Sequence, residues 1–256
     1  MEFFYSIGSS SRGNASLYVQ NQTAVLIDIG VSVRGVKNAL HRLDMGLEQL
    51  TGVLVTHDHG DHIKGMQTFA RQYDIPVYAG PLTARSIARR VPEAEKQLVA
   101  FSEETGFDIG SIHVTPMRTP HDTAESYGYI LTTQKHRFGF VTDMGFMPSG
   151  VRKRLYGCDT VVIESNHDLA MLDNGPYPWP LKERVRGNRG HLSNLDCAVC
   201  VSDLAQHGTS RFILAHISEQ NNLPELALQE SRRALAGKNA RVIAAPPGPM
   251  DAPVLL

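Results

Sequence analysis

Apolar and polar positions along the chain switch repeatedly between two periods. Short apolar, β-branched runs at 2–8, 15–20 and 24–29 predict three strands, separated by Gly8-Ser9-Ser10-Ser11-Arg12-Gly13-Asn14 and by the turn Asn21-Gln22. From Ser32 to Leu43 the spacing becomes helical, with Val33, Val36, Leu40 and Leu43 on one face. A strand at 52–56, a helix from Ile63 to Tyr73, a strand at 76–79 and a helix from Pro81 to Arg90 follow. Further strands are expected at 97–101, 111–116, 159–163, 211–215 and 241–244, with a hairpin joining 127–133 to 137–142. Helices are expected from Asn194 to Gln206 and from Pro224 to Ala236. Three prolines within Pro176-Tyr177-Pro178-Trp179-Pro180 remove backbone donors, so this stretch reads as a shaped loop. The alternation of strand and helix places the chain in the α/β class.

Composition narrows this picture without changing it. The length of 256 residues and 42% hydrophobic content fit one large domain over 1–245, with 246–256, rich in proline at its start, as an irregular tail. A formal charge of −1 means that any contact with nucleic acid must come from a local patch. Three cysteines cannot make a disulfide framework and suggest a reducing compartment. Cys197 and Cys200 form C-x-x-C, but inside an apolar helical pattern two small buried residues is the preferred reading over a zinc or redox pair. No segment approaches the roughly 18 apolar residues of a membrane span, and the N-terminus does not read as a leader, so a cytoplasmic location is expected.

Chemistry enters where strands end. The run Val53-Leu54-Val55-Thr56 breaks into His57-Asp58-His59-Gly60-Asp61-His62. Imidazole and carboxylate are ligands that suit zinc, iron or manganese, and a tight loop can aim several of them inward. His57 and His59 can reach one ion from the strand end, while Asp61 and His62 turn onto the next helix toward a second. The alternative is a polar surface loop with incidental histidines. Other strands end in the same way: 24–29 at Asp28, 111–116 shortly before His121, the hairpin at Asp143, 159–163 at Glu164-Ser165-Asn166-His167-Asp168, and 211–215 at His216. Lys182, Arg184, Arg186 and Arg189 load the approach to Gly190-His191-Leu192-Ser193-Asn194 with positive charge, either as a solvated face or as a grip on phosphates. Ser193 or Asn194 can cap the following helix, which puts His191 where backbone N–H groups favour anions.

The H-x-H-x-D-H signature, followed in order by His121, Asp143 and His216, resembles the metallo-β-lactamase superfamily of hydrolases. The stretches 8–14, 164–168, 190–194 and 214–222 are similar to its WalJ/YycJ branch. The resemblance implies an αββα sandwich, two mixed sheets flanked by helices that present all the loop ends at one edge. It also implies two divalent metal ions, zinc, manganese or iron. His57, His59 and His121 would hold the first, Asp61, His62 and His216 the second, with Asp143 bridging them. Asp28 would support the metal loop by hydrogen bonding from behind, and Glu164, Asn166 and His167 would stand just outside the ligands. His191, in a setting similar to the extra histidine of phosphodiesterase members, would assist at the reacting phosphate, although Leu192 intervenes before Ser193.

The resulting expectation is a metal-dependent hydrolase of phosphodiester bonds, with Asp61 and His191 as catalytic residues and Arg184, Arg186 and Arg189 contacting substrate. The branch implies a DNA exonuclease of 5′-to-3′ polarity, with nucleic acid as partner and no membrane association. A small-molecule hydrolase of lactonase or glyoxalase type and a metal-stabilised binding module are the alternatives.

Overall fold

A computed structural model describes residues 1–256. The chain forms two compact units, one of residues 1–116, 123–127 and 248–256, the other of 117–122 and 128–247.

In the first unit β1 (Glu2–Ser10), β2 (Gly13–Gln20) and β3 (Thr23–Ile27) make an antiparallel meander. From β3 the sheet continues in parallel through β4 (Gly52–Leu54), β5 (Val77–Ala79) and β6 (Leu98–Ala100). Parallel neighbours need crossovers, which helices supply. α1 (Val33–His41) joins β3 to β4. The pair α2 (Gly60–Ile63) and α3 (Met66–Gln72) joins β4 to β5, and α4 (Pro81–Arg90) leads toward β6. Apolar positions of these elements, among them Leu26, Val36, Leu40, Val53, Phe69 and Ile87, are fully buried. The hairpin β7 (Phe107–Ile109) and β8 (Ile112–Arg118) follows, its last two residues passing into the second unit.

In the second unit β9 (Tyr127–Thr132) pairs antiparallel with β10 (Arg137–Val141), after which β11 (Thr160–Glu164), β12 (Arg211–Ala215) and β13 (Arg241–Ala244) run parallel. Five helices accompany them: α5 (Ser149–Leu155), α6 (Leu169–Asn174), α7 (Trp179–Arg186), α8 (Asn194–Gln206) and α9 (Pro224–Ala234). The core here is apolar and includes Val161, Ile163, Leu204, Phe212 and Leu214, all fully buried. Cys158, Cys197 and Cys200 pack within it as free thiols. Burial pushes the Cys158 thiol up to about 11 and the Cys200 thiol up to about 12.

Three differences from the sequence expectation have local causes. The helix expected from Ile63 to Tyr73 is split at Lys64-Gly65, because Gly65 donates its N–H to the Ile29 carbonyl rather than continuing the helix in contact with its own turn. The proline stretch expected as a loop is helical at its end, since Trp179 and Pro180 open α7, where a missing N–H costs nothing. The tail is not wholly irregular: β14 (Val254–Leu255) pairs antiparallel with β1 in the first unit. Two residues were too few to show alternation, and their pairing partner lies at the far end of the sequence.

Candidate metal centre

The site residues of the first unit follow from adjacent parallel strands. Ile27 lies in register with Leu54, so the ends of β3 and β4 emerge side by side. Asp28 and His57 therefore begin their loops as neighbours. Asp28 Oδ1 accepts the Thr56 N–H at 2.8 Å, and Oδ2 accepts the Thr56 hydroxyl at 2.8 Å and faces His62 Nδ1 at 2.7 Å. Burial raises the Asp28 pKa, and His62 and the Thr56 donors work against that rise. The Thr56 oxygen also lies 3.0 Å from His57 Nδ1. With their Nδ1 atoms so engaged, His57 and His62 present Nε2 on the opposite side of each ring. The His57 ring stands 4.0 Å from that of His62 and 4.6 Å from that of His59, centroid to centroid.

Close backbone approach makes this loop possible. A Cβ on Gly30 would lie 1.5 Å from the Asp61 carbonyl oxygen, so only glycine permits the β3 end to pass beneath the loop. Gly30 N–H donates to Asn14 O at 2.7 Å, which brings the Asn14 side chain in. Its amide donates to Asp61 Oδ2 at 3.2 Å and lies 3.1 Å from His62 Nε2. Asp58, between the first two histidines, has partners of its own. It accepts from Thr123 Oγ1 at 2.7 Å and from the Ser86 hydroxyl, and Arg90 donates to its carbonyl.

In the second unit the same logic operates across three parallel strands. Val141, Ile163 and Leu214 share register, and Glu164 pairs with Ala215, so Asp143, Glu164 and His216 leave one edge together. The donor atoms of Asp143, Glu164, His191 and His216 lie within 4.8 Å of one another. Glu164, fully buried, is the hub of this group. Its Oε1 accepts from His191 Nδ1 at 2.7 Å and His216 Nδ1 at 2.8 Å, and its Oε2 accepts the Met144 and Leu192 N–H groups, each at 3.1 Å. Burial pushes the Glu164 pKa up, but His191 and His216 outweigh it and hold the carboxyl well below the ordinary range.

His121 donates Nδ1 to the Gly190 carbonyl at 3.1 Å, and its ring centroid lies 5.1 Å from that of His191. Burial lowers the His121 pKa, which favours the neutral, ligating ring. Gly190 is as constrained as Gly30, since a Cβ there would come within 2.1 Å of the Val185 carbonyl oxygen. Ser193 caps α8 by accepting from Asp196 N at 3.1 Å, which fixes the loop that carries His191. Asn166 donates to the His216 carbonyl at 2.9 Å, whereas His167 turns into the protein with its Nδ1 buried and making no hydrogen bond.

The basic stretch is tied down inside its own unit. Arg184 pairs with Asp122, Arg186 with Asp173, Arg189 Nε donates to the His121 carbonyl at 2.9 Å, and Lys182 donates to the Asp173 carbonyl at 2.6 Å. These arginines hold the loop of His121 and the start of α7. Sequence reasoning passed over Asn14, Thr56 and Asp58, whose partners lie tens of residues away. It also placed Glu164 outside the ligands, with no sign that it anchors both His191 and His216.

A family model for the β-lactamase superfamily domain matches residues 23–217. The chain belongs to that superfamily. Its metallo-β-lactamase members share the two mixed sheets flanked by helices seen here. YhfI of Bacillus subtilis, a metallo-β-lactamase-fold protein, superposes with a TM-score of 0.75 over 96% of this chain and 97% of its own, at 15% identity. Closer in sequence, the exodeoxyribonuclease YycJ of Bacillus anthracis is 32% identical over 92% of this chain and 89% of its own length. The exodeoxyribonuclease WalJ of Streptococcus pneumoniae is 30% identical over 88% and 85%. The superfamily implies divalent metal ions, and the donor set suits them. His62, His121, His191 and His216 each engage a carboxylate or carbonyl through Nδ1, the arrangement that orients imidazoles for ligation through Nε2.

Proposed function

We propose that this chain is a metal-dependent nuclease that degrades DNA, with 5′-to-3′ exonucleolytic polarity. The observation that carries the reading is the coincidence of two supports. Both exodeoxyribonuclease relatives align over more than four-fifths of the chain, and both units carry imidazole–carboxylate sets with oriented Nε2 atoms. The same relatives weigh against the lactonase or glyoxalase alternative.

In this reading His57, His59, Asp61, His62, His121, Asp143 and His216 would hold the two ions. Zinc, manganese and iron all accept this mixed donor set. A bound pair would supply Lewis acidity at the phosphate oxygens and a water activated near neutral pH. The protein's own part is positioning. Asp28 and Thr56 fix the rings of His57 and His62, Asn14 steadies Asp61, and Glu164 fixes His191 and His216. His191, one-fifth exposed and sharing its Nδ1 proton with Glu164, keeps Nε2 for the substrate. There it would donate a proton to the phosphoester oxygen as that oxygen's bond to phosphorus breaks. No helix is long and apolar enough to cross a membrane, and the three free cysteines fit the cytoplasm, where a DNA substrate is at hand.

The test is digestion of end-labelled single- and double-stranded DNA and RNA by protein of measured metal content. DNA should be shortened from its 5′ end, chelation should stop the reaction, and Asp61→Ala should lower the rate by at least about a hundredfold while melting near the wild type. Turnover of RNA alone, or activity indifferent to chelator and to Asp61→Ala, would overturn the proposal.

A further inference from the structure

Arg184 and Arg186 of α7 pair with acids of their own unit, so cations that are not so engaged are the readier contacts for the phosphates of a DNA strand. Resting on the nuclease reading, we propose that the exposed face of α4, through Arg85 and Arg89 with Lys64 beside it, grips the sugar–phosphate backbone of the strand being degraded. The reasons lie wholly within the first unit.

α4 carries three arginines and no acidic residue. Its other face, Thr83, Ala84 and Ile87, is buried, so Arg85 and Arg89, four residues apart, share the solvent side. Neither makes an ion pair or a hydrogen bond, and Lys64 is likewise exposed and unpaired. Other exposed cations, Arg34 and Arg232 among them, are unpaired too, but Arg85 and Arg89 share one face of a single helix. Arg71, Arg152, Arg184, Arg186 and Arg233 all face a carboxylate. Cations in the last turn of a helix complement its dipole, which accounts for Arg89 and Arg90 but not for Arg85, a turn earlier, nor for Lys64.

Position gives the cluster its meaning. Asp58, between His57 and His59, accepts from Ser86 and Thr123 and pairs with Arg90, so α4 is fastened to the loop that carries the predicted ligands. Two open clefts adjoin α4 and the loop of His57 and His59. One is lined by Asp58, Arg85 and Arg89, the other by Gly60, Lys64 and Arg90. Both therefore run from the metal loop onto unpaired cations. A polyanion fits this surface better than a neutral ligand, because each phosphate neutralised releases condensed counterions without demanding a base-specific contact.

The experiment compares wild type with Arg85→Glu/Arg89→Glu on end-labelled DNA between about 50 and 200 mM salt. KM should rise at least about tenfold with kcat within about twofold, and the slope of log(kcat/KM) against log salt should become shallower by roughly 1.5, about 0.7 to 0.9 per lost contact. Arg85→Lys/Arg89→Lys, which keeps the charge, should retain most of the affinity and the slope. Arg232→Glu/Arg241→Glu, an equal charge change on exposed positions of the second unit, should leave KM near the wild-type value. A wild-type slope and KM in the α4 variant, or an equal loss in the second-unit variant, would overturn this proposal while leaving the nuclease reading intact. A wild-type protein that degrades no DNA would overturn both.

Discussion

Asp28, Asp143 and His216 have φ of 60°, 56° and 53°, left-handed values that cost a non-glycine residue about 1–3 kcal/mol each. Each stands just beyond the end of a parallel strand and turns a side chain into a cluster of imidazoles and carboxylates. Asp tolerates this backbone better than His, so His216 is the most telling of the three. Glu164 anchors His216 by a different means, as the acceptor of four hydrogen bonds. Glu164→Gln keeps the shape but replaces one acceptor oxygen with a donor. It should weaken metal binding by about ten- to a hundredfold in a calorimetric titration while the far-ultraviolet spectrum stays native. Unchanged affinity would mean that Glu164 merely fills space. The sequence made Asp28, Asp143 and His216 visible because each follows an apolar run. It could not show the role of Glu164, because that role is defined by Met144, His191, Leu192 and His216, residues up to 52 positions away.

At the scale of elements, strand ends were legible and loops were not. Parallel pairing explains the difference, since register alone sets the ends of β10, β11 and β12 side by side once they are recognised as strands. The split of the helix after the metal loop was invisible, because Gly65 answers to Ile29 rather than to its own neighbours. The same closeness makes Gly30 a sensitive position. Gly30→Ala should lower the melting temperature by several degrees or prevent folding, through overlap with the Asp61 carbonyl, whereas Gly150→Ala, in α5 with nothing within 4 Å of the added carbon, should melt at or slightly above the wild type. Equal melting of the two variants would remove the steric account. α7 shows what a charge run leaves out. Its charges suggested a surface for phosphates, but pairing partners such as Asp122 and Asp173 come from outside the helix, and nothing in a charge run announces them.

The molecule as a whole carries one buried imidazole that the proposed chemistry does not use. Burial pushes His167 down to about 4, while in the unfolded chain it titrates near 6.5. Between those values the unfolded state holds the extra proton, so the contribution to stability is complete above about pH 6.5 and is lost as pH falls toward 4. Melting of the metal-free protein from pH 7 to pH 5 should therefore fall more steeply for the wild type than for His167→Gln. Parallel curves would show that the buried ring is not the titrating group.

The first unit is built from both ends of the sequence, with Tyr5 bonded to the carbonyl of Met250, 245 positions later. A ribosome adding roughly 5–20 residues per second delivers β14 some ten to fifty seconds after β1. During that interval the emerging sheet has a bare flank of unpaired amides, the kind of edge along which chains stick together. Fast translation of the intervening unit, or a chaperone that covers the N-terminal strand, should therefore govern the yield of native protein more than its final stability does.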